Sequence, residues 1–246
     1  MAEPLLDVQR LSRSFGGLRA VQGVSLQLLP GTLSALIGPN GAGKTTLFAL
    51  LSGFLKPDSG RITFDGLDIT GRAPHLNARS GLARTFQIVQ PFAAQTVREN
   101  IAVGVHLHEP RRAAALAQAE AVAQRLGLAD QLDKPAADLT VAGRKRLELA
   151  RALATRPKLL LLDEVLAGLN LQEIAQMTPV LRAIAAEGTT VLMIEHVMQA
   201  VMNLAQHVWV LAQGQLIAEG TPAQVTSDAR VIEAYLGPGV AAKLNA

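Results

Sequence analysis

The chain opens on short runs of alternating apolar and polar residues separated by turn formers: LLDVQRL, then VSLQL, then TLSALIG. The third run is continuously apolar, as expected of a strand buried on both faces. It leads through a Gly-rich stretch into KTTLFALLSG, whose spacing predicts a helix closed by Gly53. KPDSGRITFDG then predicts a turn over residues 57–60 and a strand of period two. After Gln87 the period changes. Residues 90–156 are rich in Ala, Leu and Gln, with Leu116, Ala119, Val122, Ala123 and Leu126 at helical spacing and a break at Gly127. Strand character returns at KLLLLDE, TTVLMIE and HVWVLAQGQLIAEG, and YLGPGVAAKLNA reads as a short tail. The pattern predicts an α/β core interrupted by a helical insertion, without internal repeats.

One stretch inside that insertion fits the pattern poorly. In LTVAGRKRLELARAL, from Leu139 to Leu153, Leu147, Ala150 and Leu153 share a face with Ala154, and Arg144 and Glu148 stand at ion-pair spacing. Only Thr140 offers a side-chain cap. Arg144, Lys145 and Arg146 then place three cations in the first turn, where the helix dipole disfavours them. A run of that kind is expected to face an anion.

Composition narrows the class. With 246 residues and 49% hydrophobic content there is material for a large core, yet no run reaches the roughly 18–20 apolar residues of a membrane span. MAEPLLDVQR has neither a basic start nor an apolar segment, so no secretory signal is expected. The absence of cysteine removes disulfides, thiolate metal sites and thiol nucleophiles. A net charge of +3 with scattered basic residues, and only 3% aromatics, argue against a base-stacking platform and hence against a nucleic-acid partner.

Two motifs carry the chemistry. GPNGAGKTT, from Gly38 to Thr46, satisfies G-x-x-x-x-G-K-[ST] between an apolar strand and a helix. Gly38, Pro39, Asn40, Gly41, Ala42 and Gly43 would turn the backbone so that its amides face phosphate oxygens. Lys44 would reach the β- and γ-phosphates, Thr45 would ligate Mg²⁺, and Thr46 would continue the cradle at the helix N-terminus. LLLLDE sets Asp163 and Glu164 at the end of a buried strand, where ligands of parallel sheets collect. Asp163 would orient Mg²⁺ and Glu164 would position or deprotonate an attacking water. Together the motifs point to an NTPase.

With both motifs in place, the chain resembles an ATP-binding-cassette ATPase over nearly its whole length. The resemblance implies a P-loop NTPase core with a mainly parallel sheet, an N-terminal antiparallel β subdomain and an inserted helical subdomain. It implies one cassette over 1–246, with 1–89 and 157–246 as the nucleotide-binding core and 90–156 as the helical lobe. It assigns Phe15 to stacking on adenine, Gln87 in ARTFQ to sensing Mg²⁺ and the attacking water, and His196 in MIEH to the γ-phosphate. Leu139, Thr140, Val141, Ala142 and Gly143 align with the family's L-S-G-G-Q signature, which would act in trans on ATP held by a second subunit. Thr140 keeps a hydroxyl, and the amides of Gly143 and Arg144 are expected to face that phosphate. Ala142 replaces a glycine and the glutamine is missing. Asn170 stands for the usual D-loop aspartate, and Val197 follows His196 where aspartate is common.

RTFQ, EVLAGLN, KRLELARAL and VIEAYLG look most like the branched-chain amino acid importer ATPases. That implies an ATPase motor, with ATP and Mg²⁺, peripheral on the cytoplasmic face of the inner membrane. The implied partners are transmembrane permease subunits, a second cassette (the same chain or a paralogue) and, indirectly, a periplasmic solute-binding protein. Ile88 and Phe92, prone to exposure, are candidates to grip a short permease helix, with local packing as the equal alternative. Related small polar or carboxylate cargoes stay open. So do a lipopolysaccharide-export-type ATPase, a non-transport cassette and a nucleotide-binding regulator without turnover.

Overall fold

The structure is a computed structural model describing residues 3–237. Its first sheet is antiparallel and four-stranded. Strands β1 (Leu6–Phe15) and β2 (Leu18–Leu28) form a hairpin, and β4 (Ser59–Phe64) and β5 (Leu67–Asp68) extend it in the order β2-β1-β4-β5. The second sheet has six strands. It comprises β3 (Leu33–Ile37), β6 (Leu82–Arg84), β7 (Leu159–Asp163), β8 (Thr190–Ile194), β9 (His207–Ala212) and β10 (Gln215–Gly220), in the order β10-β9-β3-β8-β7-β6. All its pairings are parallel except the β9–β10 hairpin.

The continuous apolar runs become the central strands because both of their faces are covered. Every residue of β3, β7 and β8 is buried. Alternation then sends neighbours into different cores. Leu159 and Leu161 join the cluster formed with the antiparallel sheet and α1 (Lys44–Ser52). Leu160 and Leu162 join a second cluster on the opposite face. That second cluster also takes in α3 (Val97–Val105), α4 (Arg112–Arg125), α5 (Val141–Leu153), α6 (Leu171–Ala186) and α7 (Met198–Leu204). The helical insertion therefore shares its hydrophobic core with the parallel sheet. Helix α4 supplies a face of small residues, Ala115, Ala119 and Ala123, and stops before Gly127, as its spacing indicates.

Three expectations change. The Arg144–Glu148 pair does not form, because Arg144 turns back to the Leu139 carbonyl and Glu148 accepts the Phe86 amide. Tyr235 and Leu236 are not tail residues: they end α9 (Ala229–Leu236), which Asp228 caps and which packs on α8 (Pro222–Ser227) and β10. The remainder of the expected tail, from residue 238, lies outside the described residues. The third change concerns the basic run and is taken up with the site. Among the described residues no helix is long and apolar enough to cross a membrane.

Candidate functional site

The loop between β3 and α1 is held open by glycines that tolerate no side chain. Gly43 caps α1 in a left-handed conformation (φ +103°), and a Cβ there would stand 2.2 Å from the Ala20 carbonyl oxygen. A Cβ on Gly38 would stand 2.0 Å from the Leu211 carbonyl oxygen. Gly43→Ala should therefore destabilise the protein by about 2 kcal/mol or more and abolish nucleotide binding. Thermal melting and titration with a fluorescent nucleotide analogue check both effects.

Lys44 is buried and donates from Nζ to the carbonyls of Gly38 (2.7 Å) and Pro39 (3.0 Å). Burial lowers its pKa, while Glu164 and Asp163 pull it back up. A cleft of 850 Å³ opens above it. Residues 40–46 form the floor, Phe15 one wall, and Gln87, Glu164 and His196 the other. Gly38 and Pro39 lie beneath the floor and contribute only their carbonyls to Lys44. The Phe15 ring, at the end of β1, is 43% exposed, with the Arg13 guanidinium 5.1 Å from its centre. It presents a flat apolar surface to the cleft.

The two carboxylates ending β7 differ sharply. Asp163 is buried. Its Oδ2 accepts from Arg84 Nη2 at 2.9 Å, and its amide donates to Thr85 Oγ1 at 3.0 Å. Its Oδ1 is buried with no partner among the described residues. Burial pushes the Asp163 pKa up, and Arg84 opposes that shift. Glu164 lies in the left-handed region, φ +52°, unusual for a residue with a long side chain. That turn lifts its carboxylate into the cleft. There Oε2 accepts from Gln87 Nε2 at 2.7 Å and Oε1 meets His196 Nε2 at 2.9 Å. Gln87 and His196, 77 and 32 positions from Glu164 on either side, thus meet on one carboxylate.

The signature-like segment stands elsewhere. None of Leu139, Thr140, Val141, Ala142 and Gly143 lines the cleft. Thr140 caps α5 by accepting the Gly143 amide at 3.1 Å, and the Arg144 amide donates to the Thr140 carbonyl at 2.9 Å. The amides expected to face phosphate are therefore engaged within the helix. Val141 is 58% exposed at this end and Leu139 is buried. Nor does the basic run form one outward row, because Lys145 is buried while Arg144 is exposed. Arg144 bonds the Leu139 carbonyl (3.0 Å), Arg146 bonds Gln176 (2.8 Å), and Lys145 points inward to the Glu164 carbonyl (2.9 Å). Asn170 caps α6 in a reciprocal box with Glu173, each side chain accepting the other's amide at 2.9 Å.

The sequence reading passed over Arg84 and Glu195 and gave Lys145 a different role, facing an anion. Arg84 and Glu195 are each a charged residue in an otherwise apolar register, which is the signal that could have found them. Glu195 is buried beside His196; its Oε1 accepts the Leu166 amide at 2.9 Å and its Oε2 has no partner among the described residues. Burial raises its pKa from 4.5 to about 7. Between those values the folded state holds a proton that the unfolded state has released, so this group makes stability fall as pH rises. Glu195→Gln should flatten that fall between pH 5 and 8 in denaturant titrations, since the amide keeps the acceptor for Leu166 without a buried charge.

Comparison with known proteins agrees with this geometry. The ABC transporter family profile matches residues 21–167, and one described as branched-chain amino acid ATP-binding cassette transporter matches residues 215–237. The high-affinity branched-chain amino acid transport ATP-binding protein LivG of Escherichia coli is 41% identical, over 96% of this chain and 99% of its own. BraF of Pseudomonas aeruginosa, which carries the same description, is 39% identical over the same shares. The ADP conformation of an ATP-binding cassette of an ABC transporter superposes with a TM-score of 0.87 at 33% identity, covering 96% of this chain and all of that one. A phosphate-type loop under a cleft, a carboxylate held between Gln87 and His196, and a likeness that runs the length of the chain lead to one conclusion: this protein belongs to the ABC transporter family, as one of its ATP-binding cassettes.

Proposed function

We propose that the chain is the ATP-hydrolysing motor subunit of a membrane importer for branched-chain amino acids or closely related small solutes. The observation that carries this reading is the division of labour in the structure. Lys44, Gln87, Glu164 and His196 share one cleft, while the Thr140 segment lies outside it. A site with its own phosphate loop but no signature segment is completed by a second cassette, the same chain or a paralogue, arranged head to tail. The proposed division runs 1–89 with 157–246 as nucleotide-binding core and 90–156 as the lobe carrying that segment.

In this reading ATP lies along residues 40–46 with adenine against Phe15, and Lys44 leaves the two carbonyls for the phosphates. Glu164 aligns the attacking water, and His196 and Gln87 hold its carboxylate toward the γ-phosphate. The donor set suits Mg²⁺: the Thr45 hydroxyl and the Gln87 amide oxygen line the cleft, and Asp163, buried behind it, would orient the ion directly or through water, all as hard oxygen ligands. Among the described residues no cluster of three His, Cys, Asp or Glu could hold a metal alone, so the cation would share the phosphate oxygens. Bound there, it would neutralise charge developing on the transferred group.

The permease would dock in a groove of 610 Å³ between the sheet and the helical lobe. Phe54, Phe86, Val103 and Leu107 line it, with Arg84 and Glu148 among its polar groups. The groove lies beside Ile88 and Phe92 rather than on them; Ile88 is 73% exposed, while Phe92 is stacked by Arg151 at 4.8 Å. A periplasmic solute-binding protein would act through the permease, with the cassette peripheral at the cytoplasmic face. The test is to purify the chain from its host membranes with its partners and reconstitute transport. ATP-dependent uptake of branched-chain amino acids supports the reading; co-purification with lipid-export subunits, or hydrolysis stimulated by nucleic acid, overturns it.

A further inference from the structure

The inward turn of Lys145 requires a reason. Burying an ammonium is costly unless it is hydrogen-bonded and offset by opposite charge. Lys145 is 9% exposed, and its Nζ donates at 2.9 Å to the main-chain oxygen of Glu164. The carboxylates of Glu148, Asp163 and Glu195 lie close enough for its charge to favour their ionised forms. Its hydrogen-bond acceptor is no ordinary carbonyl. It belongs to the residue at φ +52° whose backbone turn aims the Glu164 carboxylate, and whose amide is fixed to the Ile194 carbonyl at 3.0 Å. Conformations of this kind persist only where surrounding contacts over-determine them.

The same helix grips the other arm of the site. Three residues on from Lys145, Glu148 accepts the amide of Phe86, the residue before Gln87, and Arg151 donates to the Gln90 carbonyl at 3.0 Å. Gln87 in turn holds Glu164 Oε2. Helix α5 is therefore bolted both to the backbone that presents Glu164 and to the segment that supports its carboxylate, while its N-terminus carries Thr140.

We propose that Lys145 is a positioning residue for ATP hydrolysis: it holds the Glu164 turn in place and ties that carboxylate to the helix whose tip meets the partner's nucleotide. The proposal rests on the motor function above. Any displacement of α5 by the second subunit's nucleotide then reaches the chain's own Glu164 most directly through the Lys145 hydrogen bond, coupling the two composite sites of the dimer.

The test separates binding from turnover. Lys145→Met keeps the length and removes the donor; its kcat should fall about thirtyfold, the scale of a small misplacement of a catalytic group. Nucleotide affinity measured without Mg²⁺, where nothing turns over, should stay within about twofold. Lys145→Arg, which can still donate to the carbonyl, should recover kcat to within about fivefold of the unaltered chain. Should Lys145→Met not fold, Lys145→Leu, which likewise carries no donor, replaces it, with the same criteria. A kcat within twofold of the unaltered chain, measured well below the variant's melting temperature, overturns the proposal. So does a loss confined to affinity, or a failure of arginine to rescue. An unaltered chain that binds ATP but never hydrolyses it would instead overturn the motor reading itself.

Discussion

Glu164→Gln should bind ATP as tightly as the unaltered chain and hydrolyse it at least about 10²–10³-fold more slowly. The amide is nearly isosteric, so the turn at residue 164 and the contact with one of its two neighbours survive. What disappears is the basicity that would orient and accept a proton from water. The contacts decide how local the effect is: Gln87 at 2.7 Å and His196 at 2.9 Å hold the carboxylate, whereas Lys44 donates to the carbonyls of Gly38 and Pro39 rather than to Glu164. Because turnover is blocked, the same variant shows whether two cassettes close on ATP. Light scattering with Mg-ATP should report a dimer, since the γ-phosphate then stays in place to bias the closed state. A monomer that nevertheless binds ATP would locate the weakness at the segment from Thr140 to Gly143, or at Asn170, and direct the search to a paralogous partner.

Arg84→Met should be the most destabilising single change at the site, by about 3–5 kcal/mol. The Arg84 and Asp163 side chains are 8% and 1% exposed, and among the described residues their 2.9 Å contact is the only one satisfying Asp163 Oδ2. Removing the cation leaves a carboxylate buried with both oxygens unpaired, since Oδ1 already lacks a partner. Arg84 also lies over Phe48, Phe54 and Phe86 and reaches Ser52, so packing is lost with the charge. For a chain of this size the loss corresponds to a fall in Tm of about 10 °C, readable by calorimetry. The loss should shrink toward low pH. Asp163 has a raised pKa, so protonation there removes the unpaired charge. Arg84→Met should therefore be closer to the unaltered chain at acid pH than at neutral pH.

The local readings that held have short-range causes. The phosphate loop, the helix that follows it and the buried strand ending in Asp163 are each contained in about ten residues, where steric rules and hydrophobic period leave few alternatives. Thr140 as a cap was legible for the same reason, since capping needs only its own next three residues. The basic run failed under the same logic. Helix dipole and sequence spacing disfavour Arg144, Lys145 and Arg146 at an N-terminus, but they are silent on the Glu164 carbonyl, nineteen positions further along, that takes in Lys145. Likewise, Arg144 and Glu148 are spaced to pair on an isolated helix; in the folded chain the Phe86 amide, 62 positions away, outcompetes that exposed and weak contact.

By itself the sequence determined the α/β architecture, the glycine-turned loop between β3 and α1 and the buried strand that ends in Asp163, because periodicity and glycine sterics act locally. Only the tertiary structure decided that Gln87 and His196 converge on one oxygen each of Glu164, that Arg84 neutralises half of Asp163, and that Lys145 serves the interior rather than a neighbouring phosphate. Each of those contacts joins segments brought together by parallel pairing of β6, β7 and β8 and by the packing of α5 against them. A buried charge takes whichever partner the packed core leaves within about 3 Å, and no pattern along the chain encodes that distance.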